Sequence, residues 1–177
     1  YIVERQDLTA LFLLIGAGSS LLSQPVIAWT AKRCSIRRLI VGGYLGASGS
    51  MLRMGAAGSS VNALMLGNVL YGVTTAFPSN LLYVYLTELA DRRQVQQIGM
   101  LHSFLGLGSR ISMAVGGSLI SLILYVSNYI PNTTQSRNAD LGIQTIFVIL
   151  TTLFYLGAAA FALLSFHSGD RRENRVL

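Results

Sequence analysis

Long apolar runs without any charged residue dominate the pattern along this chain. Four stretches contain no Asp, Glu, Lys or Arg: residues 8–31, 54–87, 111–136 and 141–169. The hydrocarbon core of a bilayer is about 30 Å thick, and about 20 apolar residues of helix cross it. Because each stretch is long enough to cross, the pattern predicts an all-α, polytopic membrane helix bundle.

Turn and charge signals divide these runs into five transmembrane helices. The sequence "GAAGSS" at 55–60 interrupts an apolar stretch that is too long for one crossing and predicts a tight hairpin. Polar stretches, "ADRRQVQQ" and "SNYIPNTTQSRNAD", separate the later helices. The predicted helices are about 8–30, 39–56, 61–89, 98–126 and 141–166, in a bundle over 1–169 that a cytoplasmic tail at 170–177 follows.

Composition supports the membrane interpretation. Hydrophobic residues make up 52% of the chain and charged residues 11%, against roughly a quarter charged in soluble domains. The first apolar run has a mixed-charge flank, "YIVERQD", and is longer than the core of a cleavable signal peptide. A water-soluble domain is therefore excluded, and the bilayer is the first expected partner.

The basic residues predict an orientation rather than a nucleic-acid partner. With five crossings the two termini lie on opposite sides of the membrane, and one side holds nine cations while the other holds only Arg5 and Arg137. By the positive-inside rule the cation-rich side and the C-terminus are cytoplasmic. The nine cations are Lys32, Arg33, Arg37, Arg38, Arg92, Arg93, Arg171, Arg172 and Arg175.

A glycosylation pattern lies on the side assigned to the exterior or lumen. Asn132-Thr133-Thr134 has the acceptor form and falls in the loop before the last helix. Asn132 is therefore a candidate for modification, although the pattern also arises by chance. The sequence does not indicate which membrane holds the protein.

The order of features resembles the second half of a major facilitator superfamily transporter, from the end of its seventh helix onward. The similar features are a basic loop ending in Arg37-Arg38, the helix start "LIVGGYLG", a short outer turn, and the helix "LGNVLYGVTTAFPSNLLYVYLTELADRRQ". The helix "GMLHSFLGLGSRISMAVGGSLI", a final helix and a polar tail follow. The family's loop motif, G-x-x-x-D-R-x-G-R-R, keeps only its closing arginine pair here, since Trp29, Arg33 and Ile36 replace its first glycine, aspartate and second glycine.

The resemblance implies a carrier of a small solute that works by alternating access. Such transporters place two halves around a site near the middle of the bilayer. The chain would then be a fragment whose N-terminal half is a missing partner. The alternative from the residues alone is an assembly or scaffold subunit that uses its five helices only for contact.

Two ionisable residues in the fourth predicted helix are candidates for the substrate pathway. A charge at the bilayer centre costs at least ~2.5–3.5 kcal/mol, so Arg110 needs a partner: a substrate anion, freed backbone carbonyls, or an acid on the missing half. Snorkelling to the interface is the alternative. His102 lies about 80° from Arg110 around the helix, where it either carries protons or is simply hydrogen-bonded to a neighbour.

The third predicted helix contains a proline and several polar residues. Pro78 removes the hydrogen bond that the Thr74 carbonyl would accept, and freed carbonyls in a membrane need packing, side chains or water. Thr74, Asn80 and Tyr83 are therefore candidates for a cavity wall, with an ordinary proline kink as the alternative.

Charged residues at the cytoplasmic ends are candidates for a gate. Glu88 and Asp91 follow the third predicted helix, and Arg37 and Arg38 resemble the remains of the family's gating loop. We expect the acids to pair with these arginines or with others nearby when the transporter faces outward.

No enzyme class finds support in the sequence. It has two histidines and one cysteine, Cys34, and no spacing typical of a metal site, a phosphate-binding loop or a catalytic triad. We therefore expect no cofactor and no metal.

Overall fold

The structure is a computed structural model that describes residues 7–58, 60–92, 98–126 and 137–173. Every regular element in these ranges is a helix, which confirms the all-α prediction for the described residues. The elements are α1 (Asp7–Leu22), α2 (Gln24–Ala31), α3 (Ile36–Ala56), α4 (Val61–Arg92), α5 (Ile98–Val126) and α6 (Arg137–Glu173).

The first predicted helix is interrupted at Ser23. Pro25 occupies the first turn of α2, where its missing N–H costs nothing because the first turn has no intrahelical acceptor for it. The Ser23 hydroxyl donates to the Ser20 carbonyl at 2.6 Å, and Ser23 N–H donates to Ser19. The stretch Ala10–Ala31, which includes this turn, is long and apolar enough to cross a membrane.

Two further stretches meet the same test of length and hydropathy, Gly99–Val126 and Ile143–Phe166. The helices α3 and α4 have 21 and 32 residues, which is long enough to cross at 1.5 Å per residue, but neither meets the hydropathy test. Seven residues of α3 are buried, whereas none of the span in α5 is.

The hairpin between α3 and α4 is short. α3 ends at Ala56 and α4 begins at Val61. Gly58 has a φ of 55°, a left-handed conformation that glycine adopts without the steric cost a side chain brings. Ser60 N–H donates to the Ala57 carbonyl at 3.2 Å.

The chain divides into two compact units. Unit 1 comprises residues 1–82 and 148–177, and unit 2 comprises 83–147. In unit 1 small residues bring the helices together: a Cβ on Gly46 would lie 2.7 Å from Thr74 Cγ2, and one on Gly55 would lie 2.9 Å from Val148 Cγ1. α3 thus packs against both α4 and α6, as the small-residue stripes of membrane helices allow.

Candidate functional site

Three polar side chains of unit 2 meet between α4 and α5. The rings of Tyr83 and His102 stack with centroids 5.7 Å apart and planes 8° from parallel. His102 Nε2 lies 3.3 Å from the hydroxyl of Thr87, which itself donates to the Tyr83 carbonyl at 2.9 Å. The structure thus brings together two of the candidates for the substrate pathway, Tyr83 and His102, and adds Thr87.

This cluster is accessible rather than sealed. Tyr83 is 43% exposed, and His102 is half-buried. A neutral imidazole has one nitrogen that donates and one that accepts, so with Nε2 at Thr87, Nδ1 remains for a second partner. The arrangement suits either a hydrogen-bonding surface for a polar solute or a group that exchanges protons.

Arg110 lies close to the middle of the span Gly99–Val126. Its side chain is exposed, and it makes no hydrogen bond, ion pair or ring contact within the part of the chain that the structure describes. A guanidinium carries five N–H donors and stays charged at any physiological pH. Arg110 is therefore an exposed cation near the middle of an apolar helix.

The proline of α4 is covered by α3. The Thr74 carbonyl, which Pro78 leaves without its helical donor, lies 3.0 Å from the position of a Cβ on Gly43, and the Pro78 ring contacts the same point. The Thr74 side chain faces Gly46, and its hydroxyl donates to the Leu70 carbonyl at 2.8 Å. Both polar groups of Thr74 thus lie in a close contact between two helices.

Asn80 is half-buried in unit 1 and uses its amide within its own helix. Its Nδ2 donates to the Ala76 carbonyl at 2.7 Å, which leaves the side-chain oxygen as an acceptor. Ser79 similarly donates to the Thr75 carbonyl at 2.8 Å. The described contacts of Asn80 therefore stabilise the helix around Pro78.

The gate candidates divide between the two units. Arg37 is half-buried, with its guanidinium carbon 5.8 Å from the centre of the Phe166 ring, while Arg38 is exposed. Glu88 and Asp91, in unit 2, are also exposed. The gate stays a prediction, as does modification of Asn132, which lies outside the described residues.

Sequence reasoning missed a tyrosine cluster inside unit 1. The hydroxyls of Tyr71 and Tyr155 are 2.7 Å apart, and their rings meet edge to face with centroids separated by 6.0 Å. The Tyr44 ring lies 6.3 Å from that of Tyr155. The three residues come from α4, α6 and α3, so no local spacing in the sequence reveals the cluster.

Two other buried polar residues of unit 1 were also missed. Asn68 is 6% exposed, and its Nδ2 donates to the Phe12 carbonyl of α1 at 2.6 Å. Thr152 is 6% exposed, and its hydroxyl has no hydrogen-bond partner among the described residues. An amide in a charge-free apolar run is itself a signal, because polar groups at membrane depth usually face protein.

The described ranges contain no candidate metal site. No group of three or more His, Cys, Asp or Glu side chains that could hold an ion occurs there.

Comparison with known proteins identifies the family. Residues 1–167 match the family described as "MFS/sugar transport protein", so the chain belongs to this family of the major facilitator superfamily. It is 29% identical over 164 residues to the isoprimeverose transporter of Lactiplantibacillus pentosus, covering 89% of this chain and 34% of that protein. The chain thus spans about a third of the length of this curated relative.

No solved structure matches the chain. The family match confirms the resemblance that the basic loop and the order of helices indicated. Together with the apolar spans, it identifies the protein as an integral, multi-pass membrane protein. Such a family points to carriers rather than enzymes.

Proposed function

We propose that the chain is a portion of a secondary transporter that moves a small solute, with a sugar as the favoured class, by alternating access. The observation that carries this proposal is the match of residues 1–167 to the family of sugar transport proteins. The relative that transports isoprimeverose supports a sugar as substrate. The transporter binds solute and releases it without a catalytic step.

The rest of the transporter is supplied by sequence beyond this chain. The chain corresponds to 34% of its relative, and major facilitator transporters place their site between two halves. We therefore infer that an N-terminal half is the principal protein partner, and that nucleic acid is not a partner.

We propose that the solute contacts mainly side chains of unit 2. The stacked Tyr83 and His102 offer an aromatic face and an imidazole nitrogen, and Arg110 offers charged donors. Sugar hydroxyls accept and donate hydrogen bonds, so these groups suit them. Thr74 and Asn80 are weaker candidates, because their described contacts lie within or between helices of unit 1.

We also propose a cytoplasmic C-terminus and a gate at the cytoplasmic ends of the helices. Nine of the thirteen cations lie on one side of the predicted topology, which supports a cytoplasmic C-terminus. On that side Glu88, Asp91, Arg37 and Arg38 stay candidates for a gate that closes the cytoplasmic end in the outward-facing state. Proton coupling, where it occurs, would use His102 or residues upstream.

The test is transport by the full-length protein that contains this chain. After reconstitution into liposomes, uptake of radiolabelled isoprimeverose and of a panel of mono- and disaccharides is measured with and without a proton or sodium gradient. We expect saturable uptake of at least one sugar, above that of protein-free liposomes.

Correctly folded protein that moves none of these sugars but moves another solute would remove the sugar from the proposal. If it moves no solute at all, the transport proposal is wrong and a scaffold role is preferred. Folding is checked by a monodisperse elution profile after the liposomes are dissolved.

A further inference from the structure

From the end of α1 to the residues that follow α2, the exposed side chains change from apolar to aromatic to charged. Leu22 is 78% exposed and Val26 is 51% exposed. Trp29, one turn further, is 56% exposed, and Lys32 and Arg33 follow, both exposed. Apolar residues, then an aromatic ring, then cations is the order in which side chains meet the acyl chains, the interface and the headgroups of lipids.

The aromatic ring and one cation are held together. The guanidinium carbon of Arg33 lies 4.4 Å from the centre of the Trp29 ring, a cation–π distance. Because tryptophan settles at the membrane interface, this contact holds a planar, always charged donor at headgroup depth. Arginine in this position binds phosphate oxygens with two parallel N–H donors.

Three cations of this region, Lys32, Arg33 and Arg38, have no acidic partner in the described ranges. They lie within seven residues, and no Asp or Glu occurs from residue 8 to residue 87. Arg37, by contrast, is half-buried beside Phe166, so it is not counted with them.

We propose that the surface formed by Trp29, Lys32, Arg33 and Arg38 binds the phosphate headgroup of an anionic phospholipid, with an acyl chain along Leu22 and Val26. The complementary charge is the phosphodiester of the lipid, and clusters of Lys and Arg beside membrane helices attract such headgroups. This lipid site does not depend on the identity of the substrate and would exist whether the substrate is a sugar or not.

Native mass spectrometry of the full-length protein tests the proposal. The protein in mild detergent is titrated with phosphatidylglycerol or with phosphatidylcholine of the same acyl chains, and the bound fraction is counted. We expect tighter binding of phosphatidylglycerol. Arg33→Gln with Arg38→Gln should weaken that binding by about fivefold for each cation removed. Arg33→Lys with Arg38→Lys keeps the charges but loses the two parallel donors, so it should weaken binding less than the glutamine pair does.

The matched control is Arg53→Gln, which removes an exposed arginine from the last turn of α3. The proposal requires this variant to bind phosphatidylglycerol as the wild type does. If the double glutamine variant does not fold, the wild-type protein alone tests the proposal. Its preference for phosphatidylglycerol over phosphatidylcholine must then decrease as the salt concentration is raised. Equal affinity of the wild type for the two lipids, or an equal loss in Arg53→Gln, would overturn the proposal.

Discussion

The hydroxyl of Tyr71 lies 2.7 Å from the hydroxyl of Tyr155. This hydrogen bond joins α4 to α6, and the ring of Tyr155 also contacts that of Tyr44 on α3 at a centroid separation of 6.3 Å. Lipid offers neither hydrogen bonds nor a hydrophobic drive between helices, so such polar contacts and close packing hold membrane helices together. The tyrosine cluster therefore ties three helices of unit 1.

Removing one of the paired hydroxyls tests this role. Tyr155→Phe keeps the ring and its stacking but removes the hydrogen bond, so the free energy of unfolding of the full-length protein in micelles should fall by about 0.6 kcal/mol and by no more than about 1.7. In a double-mutant cycle with Tyr71→Phe, the two losses should not add. Tyr125→Phe is the control, because Tyr125 is 82% exposed. Additive losses would show that the hydroxyls do not interact.

Gly43 and Gly42 provide a matched pair on α3. A Cβ on Gly43 would contact Pro78 and lie 3.0 Å from Phe77 Cβ, whereas a Cβ on Gly42 would have no atom within 4 Å. We expect Gly43→Ala to destabilise the protein by about 1–3 kcal/mol through overpacking. Gly42→Ala should leave stability unchanged or raise it by up to about 1 kcal/mol, because alanine favours helix more than glycine does. Equal effects of the two variants in thermal unfolding would argue against the α3–α4 contact.

The sequence predicted the all-α class but neither the break at Ser23 nor the contacts between the helices. Charge-free runs of the required length predict membrane helices directly, and "GAAGSS" marks the hairpin. Pro78 in the sequence showed that the Thr74 carbonyl would lack its helical donor. That Gly43 packs against this carbonyl depends on how α3 and α4 align, which no local sequence pattern encodes. The same holds for Tyr71 and Tyr155, which are 84 residues apart. The stacking of Tyr83 on His102 likewise needed the geometry, although both residues had been selected by their chemistry.

Asn68 should anchor α1 to α4. Its amide donates to the Phe12 carbonyl at 2.6 Å, and Gly16 admits its side chain, since a Cβ there would lie 3.0 Å from Asn68 Oδ1. Asn68→Leu keeps the volume and removes the hydrogen bond, so we expect a loss of about 1–2 kcal/mol in the free energy of unfolding. Asn62→Leu, at an exposed position of the same helix, should change stability little. A stable Asn68→Leu protein would show that the bond contributes nothing.

Replacing Thr152 by an apolar residue of similar size should stabilise the protein. Its buried hydroxyl has no partner in the described ranges, and an unsatisfied buried polar group costs about 1–3 kcal/mol. Thr152→Val replaces the hydroxyl with a methyl group of similar size and should raise the midpoint of thermal unfolding. Thr151→Val, at the half-buried neighbouring position, serves as the control. A lower midpoint for Thr152→Val than for the control would mean that the hydroxyl does have a partner.

We propose that this part of the transporter binds the solute with residues of α5, where Arg110 lies near the middle of the span. The direct measurement compares Arg110→Ala with Arg53→Ala in the reconstituted full-length protein, using the sugar with the fastest uptake. Arg53 is also exposed but lies in the last turn of α3 rather than near the middle of a span. We predict that Arg110→Ala raises KM or lowers the transport rate at least about tenfold, the effect of about 1.4 kcal/mol, while Arg53→Ala transports as the wild type does. An unchanged rate and KM in Arg110→Ala would contradict the account.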